Sequence, residues 1–169
     1  MNNRNLWRGL LAVVVLSAGA SLAQAQEMGF LGWGFRAGVS ANPDQVFGGF
    51  HVDLGEPVKH LRLIPNVEFG VGDDTKLLAA NLGAHWEFTT TSWGGWMPYA
   101  GAEVGFQYVK FDNIPRTPRR PFDDDDTDVQ LSAVGGVASR LKGGNSWFFE
   151  VKVGLLEDPD VKALVGITF

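Results

Sequence analysis

Apolar and polar side chains alternate along most of the chain with a period of two, which is the pattern of β-strands rather than helices. In residues 59–71, for example, Leu61, Leu63 and Val67 share one face, and the opposite face is polar. The 22 glycines are spread through such segments, where they would weaken a helix. Cutting the chain at its Gly-, Pro-, Asn- and Asp-rich turn signals leaves eight predicted strands: 29–40, 44–54, 59–71, 75–88, 96–110, 128–141, 146–157 and 160–169.

The two faces of these strands differ in bulk as well as in polarity. The apolar faces are large and aromatic and carry no charged residue, whereas the polar faces are rich in Gly and thinly charged. Because lipid outside and a cramped polar interior favour this arrangement, the pattern predicts an all-β, eight-stranded antiparallel up-and-down transmembrane β-barrel. Each strand has about the 9–11 residues that a tilted strand needs to cross a bilayer. The alternative is a soluble periplasmic, lipocalin-like barrel that binds an apolar ligand.

Residues 1–25 have the features of a cleaved secretory signal peptide. Arg4 and Arg8 form a positive start, Leu10 to Leu16 is an apolar run, and Ala23-Gln24-Ala25 fits the small-residue cleavage pattern. A membrane anchor fits less well, because a spanning helix needs about 20 apolar residues. We therefore expect an exported protein whose barrel domain covers residues 26–169.

Charge and cysteine content exclude several classes of function. Two of the 14 Lys and Arg residues lie in the predicted signal peptide. Residues 26–169 therefore contain 12 Lys and Arg residues and 19 Asp and Glu residues, which gives a net charge of −7. So acidic a chain is not expected to bind the phosphate backbone of nucleic acid. The chain has no cysteine, which excludes lipoprotein processing, disulfides and thiolate metal sites. No apolar run near 18 residues follows the signal, so no spanning helix is expected.

Aromatic residues cluster at one end of the predicted strands. If the N-terminus is periplasmic, odd-numbered strands run outward, and these aromatic residues then lie at the periplasmic end of the lipid-facing side. Amphipathic rings suit the headgroup level of a bilayer. The predicted membrane-interface girdle consists of Trp33, Trp86, Phe88, Trp96, Trp147 and Phe169.

The final residues, Val165-Gly166-Ile167-Thr168-Phe169, resemble the C-terminal strand of outer-membrane barrels. Shorter pieces at Pro43-Asp44-Gln45, at Pro65 to Gly70 and at Pro98-Tyr99-Ala100-Gly101 are similar to the outer membrane protein β-barrel domain family. The resemblance implies a small outer-membrane barrel. It also implies that the barrel-assembly machinery recognises Val165, Ile167 and Phe169. Pro65 departs from a regular strand, since proline removes a ladder hydrogen bond, and we expect a bulge or a different register there.

The polar faces predict a network inside the barrel. An eight-stranded barrel is only wide enough for side chains, so buried charges must pair with one another. The expected result is a plugged lumen, and the alternative is a narrow channel for ions or small polar solutes. The predicted lumen residues are Arg36, His51, Asp53, Arg62, Glu68, His85, Glu87, Glu103, Arg140, Glu150 and Lys152, with a constriction near Glu68, Glu103, Arg140 and Lys152.

The sequence predicts no catalytic set, cofactor or metal. Ser132 with His85 and Glu87 is the one hydroxyl–imidazole–carboxylate combination available, and the strand positions place Ser132 in the opposite half of the barrel from the other two. A triad requires direct hydrogen bonds between its members. A lipid-modifying barrel enzyme is therefore a minor alternative.

The longest connection, residues 112–128, is predicted to be an external loop. It contains Arg116, Arg119 and Arg120, followed by Asp123, Asp124, Asp125 and Asp126. Adjacent carboxylates suit a hard cation, but this run lacks the spaced ligands and the glycine of a calcium loop. A solvated loop is expected, with the arginines either contacting lipopolysaccharide phosphates or pairing with the aspartates.

These features predict a monomeric outer-membrane protein with a structural or surface-interaction role. Its expected partners are outer-membrane lipid and lipopolysaccharide, with the barrel-assembly machinery during biogenesis.

Overall fold

The chain forms one closed barrel of eight antiparallel strands, in which each strand pairs with its sequence neighbours and β8 closes onto β1. The computed structural model describes residues 27–41, 44–72, 75–89, 94–111, 125–141, 143–156 and 161–169. The predicted signal peptide lies outside these residues. The fold class is confirmed, and each predicted strand coincides with an observed one: β1 (Glu27–Ala41), β2 (Gln45–Glu56), β3 (Leu61–Gly72), β4 (Thr75–Glu87), β5 (Trp96–Phe111), β6 (Asp125–Arg140), β7 (Ser146–Gly154) and β8 (Val161–Thr168).

The two ends of the barrel differ in their connections. At one end, which we call the turn end, residues 57–60, 88–95 and 141–145 join the strands and the chain terminates. At the other, the loop end, lie the remaining connections, of which residues 112–124 form the longest. Among the described residues, no helix is long and apolar enough to span a membrane.

The barrel is apolar outside and polar inside. Among the described residues, fifteen buried side chains are polar or charged and seven are apolar. Phe35, Phe106 and Phe149 are instead 53%, 64% and 51% exposed on the outer surface. The predicted orientation of the two faces is thus confirmed, and it is the reverse of the arrangement in a soluble barrel.

Interior glycines allow the wall to curve tightly. A Cβ atom at Gly34 would overlap the carbonyl oxygen of Ile167, and one at Gly101 would overlap that of Ala84. Gly135 is exposed, and a Cβ atom there would meet no heavy atom within 4 Å. The inward face of so narrow a barrel is therefore crowded at some positions where only glycine fits.

The irregularity expected at Pro65 lies elsewhere. Pro65 pairs with Leu82 in an unbroken β3–β4 register, so the prediction of a bulge or slip there is wrong. The β2–β3 ladder ends at the His51–Asn66 pair, directly beside Pro65. Pro65 therefore lacks its backbone N–H at a position where β3 no longer pairs with β2. The register shift occurs instead in β1, between Met28 and Gly32.

The predicted external loop is shorter than expected. Asp125 and Asp126, which were assigned to the loop, belong to β6, where they pair with Lys110 and Val109. Continued backbone pairing with β5 overrides the low strand propensity of aspartate. Arg116, Arg119, Arg120, Asp123 and Asp124 lie outside the described residues.

The barrel closes at the turn end through Trp33 and Phe169. Phe169 donates its backbone N–H to the Trp33 carbonyl oxygen at 2.8 Å, and the Trp33 N–H donates to the Phe169 carbonyl oxygen at 3.3 Å. The two rings lie 5.2 Å apart on the outer surface. The last residue of the chain is thereby tied to the first strand.

Candidate functional site: the barrel interior

A single lysine joins three strands in the middle of the barrel. Lys152 Nζ donates hydrogen bonds to Glu68 Oε1 at 2.6 Å and to Glu103 Oε1 at 2.7 Å. All three side chains are at most 4% exposed. Because removing ions from water is costly, this pairing is required for the charges to be buried at all.

Further charged groups surround Lys152, Glu68 and Glu103, and we call the whole set the central network. Arg36 Nη1 lies 3.6 Å from Glu68 Oε1 and 3.7 Å from Glu150 Oε1, and Lys162 Nζ lies 3.6 Å from Glu68 Oε2. These distances are electrostatic contacts and are longer than hydrogen bonds. The central network is therefore held both by direct hydrogen bonds and by longer-range attraction.

Two asparagines connect the network to the wall. Asn66 Nδ2 donates to Glu103 Oε2 at 2.7 Å, and Asn81 Nδ2 donates to Asn66 Oδ1 at 3.1 Å. Each amide satisfies a buried acceptor without adding charge.

A second ion cluster lies at the turn end. Arg62 pairs with Asp53, and its Nη1 donates to Glu87 Oε1 at 3.0 Å. Asp53 also accepts a hydrogen bond from the backbone N–H of Gly55 at 2.9 Å. Arg62 is 21% exposed, so this cluster meets solvent at the barrel mouth.

Aromatic rings and both interior histidines lie between the two clusters. His85 stacks on Tyr99 with ring centroids 5.0 Å apart, and the Tyr99 hydroxyl donates to Glu150 Oε2 at 2.8 Å. His51 contacts the edge of Phe148 at 5.3 Å, and its Nε2 lies within hydrogen-bond distance, 2.9 Å, of Thr168 Oγ1. Both imidazoles are thus held by ring packing, and His51 is held also by its polar contact with Thr168.

Toward the loop end, a layer of apolar side chains lies between the central network and a row of buried polar residues at Ser40, Gln45 and Lys162. Phe47, Leu77 and Leu164 are each 4–5% exposed. Gly38 pairs with both Phe47 and Leu164, and Gly70 pairs with both Phe47 and Leu77, so the three bulky side chains occupy alternate positions of one row around the wall. Lys162 Nζ lies 5.8 Å from the centre of the Phe47 ring. We call Phe47, Leu77 and Leu164 the apolar layer.

A cavity enters from the turn end and reaches the central network. Its empty volume is about 490 Å³, including the open mouth. Ser146 and Arg62 line its outer part, and Arg36, Glu150 and the two interior histidines line the rest. We call this space the vestibule.

Ten of the eleven predicted lumen residues lie inside the barrel, and nine of these are under 10% exposed: Arg36, His51, Asp53, Glu68, His85, Glu87, Glu103, Glu150 and Lys152, with Arg62 at the mouth. Arg140 was placed wrongly, as was its part in a central constriction. Although Arg140 has the inward parity, it ends β6 at the turn end, where its side chain is exposed. Arg36 and Lys162 are the cations that accompany Lys152 around Glu68.

Several interior residues were not among the predicted lumen residues. Lys162 is one of them, and its place on the polar face of β8, opposite Val161 and Ala163, was the signal that predicts an inward side chain. Phe47, Tyr99, Val134, Phe148 and Leu164 form a cluster of buried apolar residues on faces expected to be polar. Their alternation with outward-facing residues was the signal that would have found them.

The six predicted girdle residues all face outward at the turn end. Trp33, Trp86, Phe88, Trp147 and Phe169 are 39–45% exposed, and Trp96 is partly buried against Phe149, whose ring centroid lies 5.6 Å away. Val165 and Ile167 lie on the same outward-facing side of β8 as Phe169 and pair with Ala37 and Phe35 of β1.

The residues considered for chemistry are engaged in packing. Ser132 is 1% exposed and pairs with Glu103 across β5–β6, while His85 stacks on Tyr99. In the part of the chain that the structure describes, no group of three or more His, Cys, Asp or Glu side chains is arranged to hold a metal ion.

Comparison with known structures identifies the same fold in other proteins. The crystal structure of Neisserial surface protein A (NspA) matches with a TM-score of 0.60 and 12% sequence identity, over 81% of this chain and 93% of that one. The N-terminal β-barrel domain of Pseudomonas aeruginosa OprF matches with a TM-score of 0.52 and 16% identity, over 83% of this chain and 98% of that one. Comparison with family models and with curated sequences gives no match. The resemblance to small outer-membrane barrels is confirmed at the level of the fold.

Proposed function

We propose that the chain is an integral outer-membrane barrel with a closed lumen and a structural or surface-interaction role. One observation carries this proposal: large apolar side chains cover the outside while paired charges fill the inside. Apolar patches on soluble monomers rarely exceed a few hundred Å². An outer surface that is apolar around the whole barrel is stable in hydrocarbon and would aggregate in water.

The dimensions of the strands support a membrane-spanning role. The strands contain 8 to 16 residues, and about 9–11 are needed to cross a bilayer at the usual tilt. In a closed barrel every strand is hydrogen-bonded to a neighbour along both edges. The hydrocarbon of a bilayer requires this because it offers no hydrogen-bond partner to backbone N–H and C=O groups. The outer membrane is the bilayer favoured by the signal-like start, the terminal Phe169 and the fold shared with NspA and OprF.

The two ends of the barrel support one orientation. Outer-membrane barrels have short periplasmic turns and longer external loops. We therefore assign the turn end to the periplasm and the loop end, with residues 112–124, to the cell exterior. The girdle then lies at the periplasmic interface.

The interior supports closure in two successive parts. From outside, a solute would first meet Ser40, Gln45 and Lys162, then the apolar layer, and then the central network around Lys152. An apolar layer opposes the entry of ions, which lose their hydration there without gaining partners. Breaking ion pairs alone would therefore leave the lumen closed.

External contacts form the interaction part of the proposal. Residues 112–124 carry Arg116, Arg119 and Arg120, whose guanidinium groups suit lipopolysaccharide phosphates. Phe169, with Val165 and Ile167, would be recognised by the assembly machinery. We propose a monomer without enzymatic activity, since His85 and Ser132 are committed to interior packing.

Conductance in planar bilayers tests closure. The wild-type protein is expected to produce no openings above background, and so is Lys152→Ala. Combining Lys152→Ala with Phe47→Ala and Leu77→Ala is expected to produce them. Openings in the wild-type protein would support the second candidate, a narrow channel, which the vestibule favours because it already penetrates to Arg36.

Cell fractionation tests the location. The protein is expected in the detergent-soluble outer-membrane fraction, and it should migrate differently on gels before and after boiling. Recovery in the periplasmic supernatant without detergent would support a soluble barrel instead.

A further inference from the structure

We propose that the vestibule is a binding site for a small, uncharged molecule rich in hydroxyl groups, between glycerol and a monosaccharide in size. The enclosed part of the vestibule measures only about 50 Å³ and opens to solvent at the turn end, so a ligand would place its inner hydroxyl groups there and its remaining atoms in the mouth.

The vestibule presents buried polar atoms that have no hydrogen-bond partner. They are Arg36 Nε and Nη1, His51 Nδ1, Arg62 Nε, His85 Nε2 and Glu150 Oε1. Arg36, His51, His85 and Glu150 are only 2–4% exposed. A buried donor or acceptor without a partner is costly, and native proteins rarely leave several together. Water molecules or a polar ligand must therefore occupy the vestibule.

The charges around the vestibule argue against a charged occupant. Arg62 is paired with Asp53 and Glu87, and Arg36 lies between Glu68 and Glu150. Every formal charge on the lining thus has a partner of opposite sign. An anion or a cation would have to disrupt these pairs and pay its own desolvation cost in a confined site.

The chemistry of these atoms, which take part in ion pairs or ring packing but make no hydrogen bond, selects among uncharged ligands. The two arginines offer donors, Glu150 Oε1 offers an acceptor, and a neutral imidazole offers either, depending on its tautomer. A hydroxyl group donates one hydrogen bond and accepts two, so adjacent hydroxyls satisfy such a mixed set. An ammonium group only donates and a carboxylate only accepts, and each leaves part of the set unpaired.

Two aromatic rings provide an apolar surface beside these polar atoms. Tyr99 and Phe148 both line the vestibule, and each is 8% exposed. Small-molecule sites combine such apolar walls with a few oriented polar groups. The C–H faces of a polyol would pack on the rings while its hydroxyls meet the polar side. The proposed orientation is needed only to place the mouth of the vestibule at the periplasm. The binding site itself does not depend on that orientation.

Histidine signals in NMR spectra provide the test, because the chain has only three histidines. His51 and His85 line the vestibule, and His60 lies in the 57–60 turn outside it. The full chain, labelled at histidine and refolded in detergent micelles, is titrated separately with glucose, glycerol, glycine, sodium acetate and ammonium chloride. Glucose or glycerol is expected to shift the His51 and His85 signals saturably and to leave His60 unchanged. The dissociation constant should be on the order of millimolar, as for other ligands of this size.

A pair of variants separates the vestibule from the outer wall. Ser146→Trp places a bulky side chain in the vestibule and is expected to weaken binding by about tenfold or more. Ser139→Trp alters a neighbouring position that pairs with Trp147 and belongs to the outward face, so its binding should match that of the wild-type protein. Unboiled gels verify that both variants fold.

If no titrant moves His51 or His85, the vestibule contains only water. If glycine, acetate or ammonium binds as tightly as the polyols, the ligand class is wrong. Equal binding by Ser146→Trp and Ser139→Trp would place the site elsewhere. Because binding is measured in micelles, a negative result leaves membrane insertion and lumen closure to be judged by fractionation and conductance.

Discussion

Lys152 Nζ lies 2.6 Å from Glu68 Oε1, and this ion pair links β7 to β3 on the opposite wall of the barrel. The same ammonium group reaches Glu103 on β5 at 2.7 Å. Three strands that are not neighbours are therefore connected through one side chain. Because this connection lies in the middle of a narrow lumen, it both stabilises the wall and obstructs the interior.

Removing this lysine should destabilise the barrel. Lys152→Met leaves Glu68 and Glu103 without their strongest partner, and loss of one member of a buried pair costs about 3–5 kcal/mol. Urea unfolding in lipid vesicles measures the change, with Lys59→Met on an exposed turn as the control. Adding Glu68→Gln and Glu103→Gln to Lys152→Met should recover part of the loss. An unchanged unfolding midpoint for Lys152→Met alone would show that the network contributes no net stability.

A charge on the outer face should be poorly tolerated. Ala102 is exposed near the middle of β5, so we expect Ala102→Arg to cost about 2–4 kcal/mol in a bilayer. Ala102→Leu at the same position should be neutral or slightly stabilising, since it adds apolar surface toward lipid. Unfolding in vesicles again provides the measurement. A soluble barrel would show the opposite preference, with the arginine variant behaving like the wild type.

Two glycines provide a matched test of interior crowding. Gly101→Ala places a methyl group against the Ala84 carbonyl oxygen, so the wall must shift, at a cost of about 1–3 kcal/mol. Gly135→Ala, one strand away, meets open space and should change stability little. Comparable stability of the two variants, measured by the same unfolding assay, would mean that the wall accommodates a Cβ at Gly101 without strain.

The contact between Trp33 and Phe169 should matter for barrel assembly. Phe169→Ala removes the ring that packs 5.2 Å from Trp33, and Trp33→Ala removes the other half of the contact. We expect both variants to reduce several-fold the heat-modifiable fraction recovered from outer membranes. Phe106→Ala, which removes an equally large ring that is 64% exposed, is the control. If only Phe169→Ala reduces assembly, the terminal ring acts through recognition alone and not through Trp33.

Strand positions and the faces of the wall were predictable because they depend on local alternation. Phe35 and Arg36 are neighbours in sequence and therefore lie on opposite faces of any strand that contains them. This rule needs no knowledge of partner strands, and it placed ten of the eleven predicted lumen residues inside. The rule failed for Arg140 because alternation predicts whether a side chain points inward or outward, but it does not predict where along the strand the closed interior ends.

The pairing inside the lumen was not predictable from the sequence. Lys152 and Glu68 are separated by 84 residues, and their contact depends on the stagger accumulated over the intervening strands. Small changes in that stagger would direct Lys152 toward other carboxylates on the same faces. The division of the interior into vestibule, central network and apolar layer depends on the same stagger.

Eight strands, each with an apolar and a polar face, follow from the alternation of residues, because a period of two is a property of each strand alone. The contacts of Lys152 with Glu68 and Glu103, the position of Arg140 at the rim and the cavity that extends to Arg36 depend instead on the closed barrel. These relationships arise from closure, since joining β8 to β1 sets the depth at which each inward side chain lies.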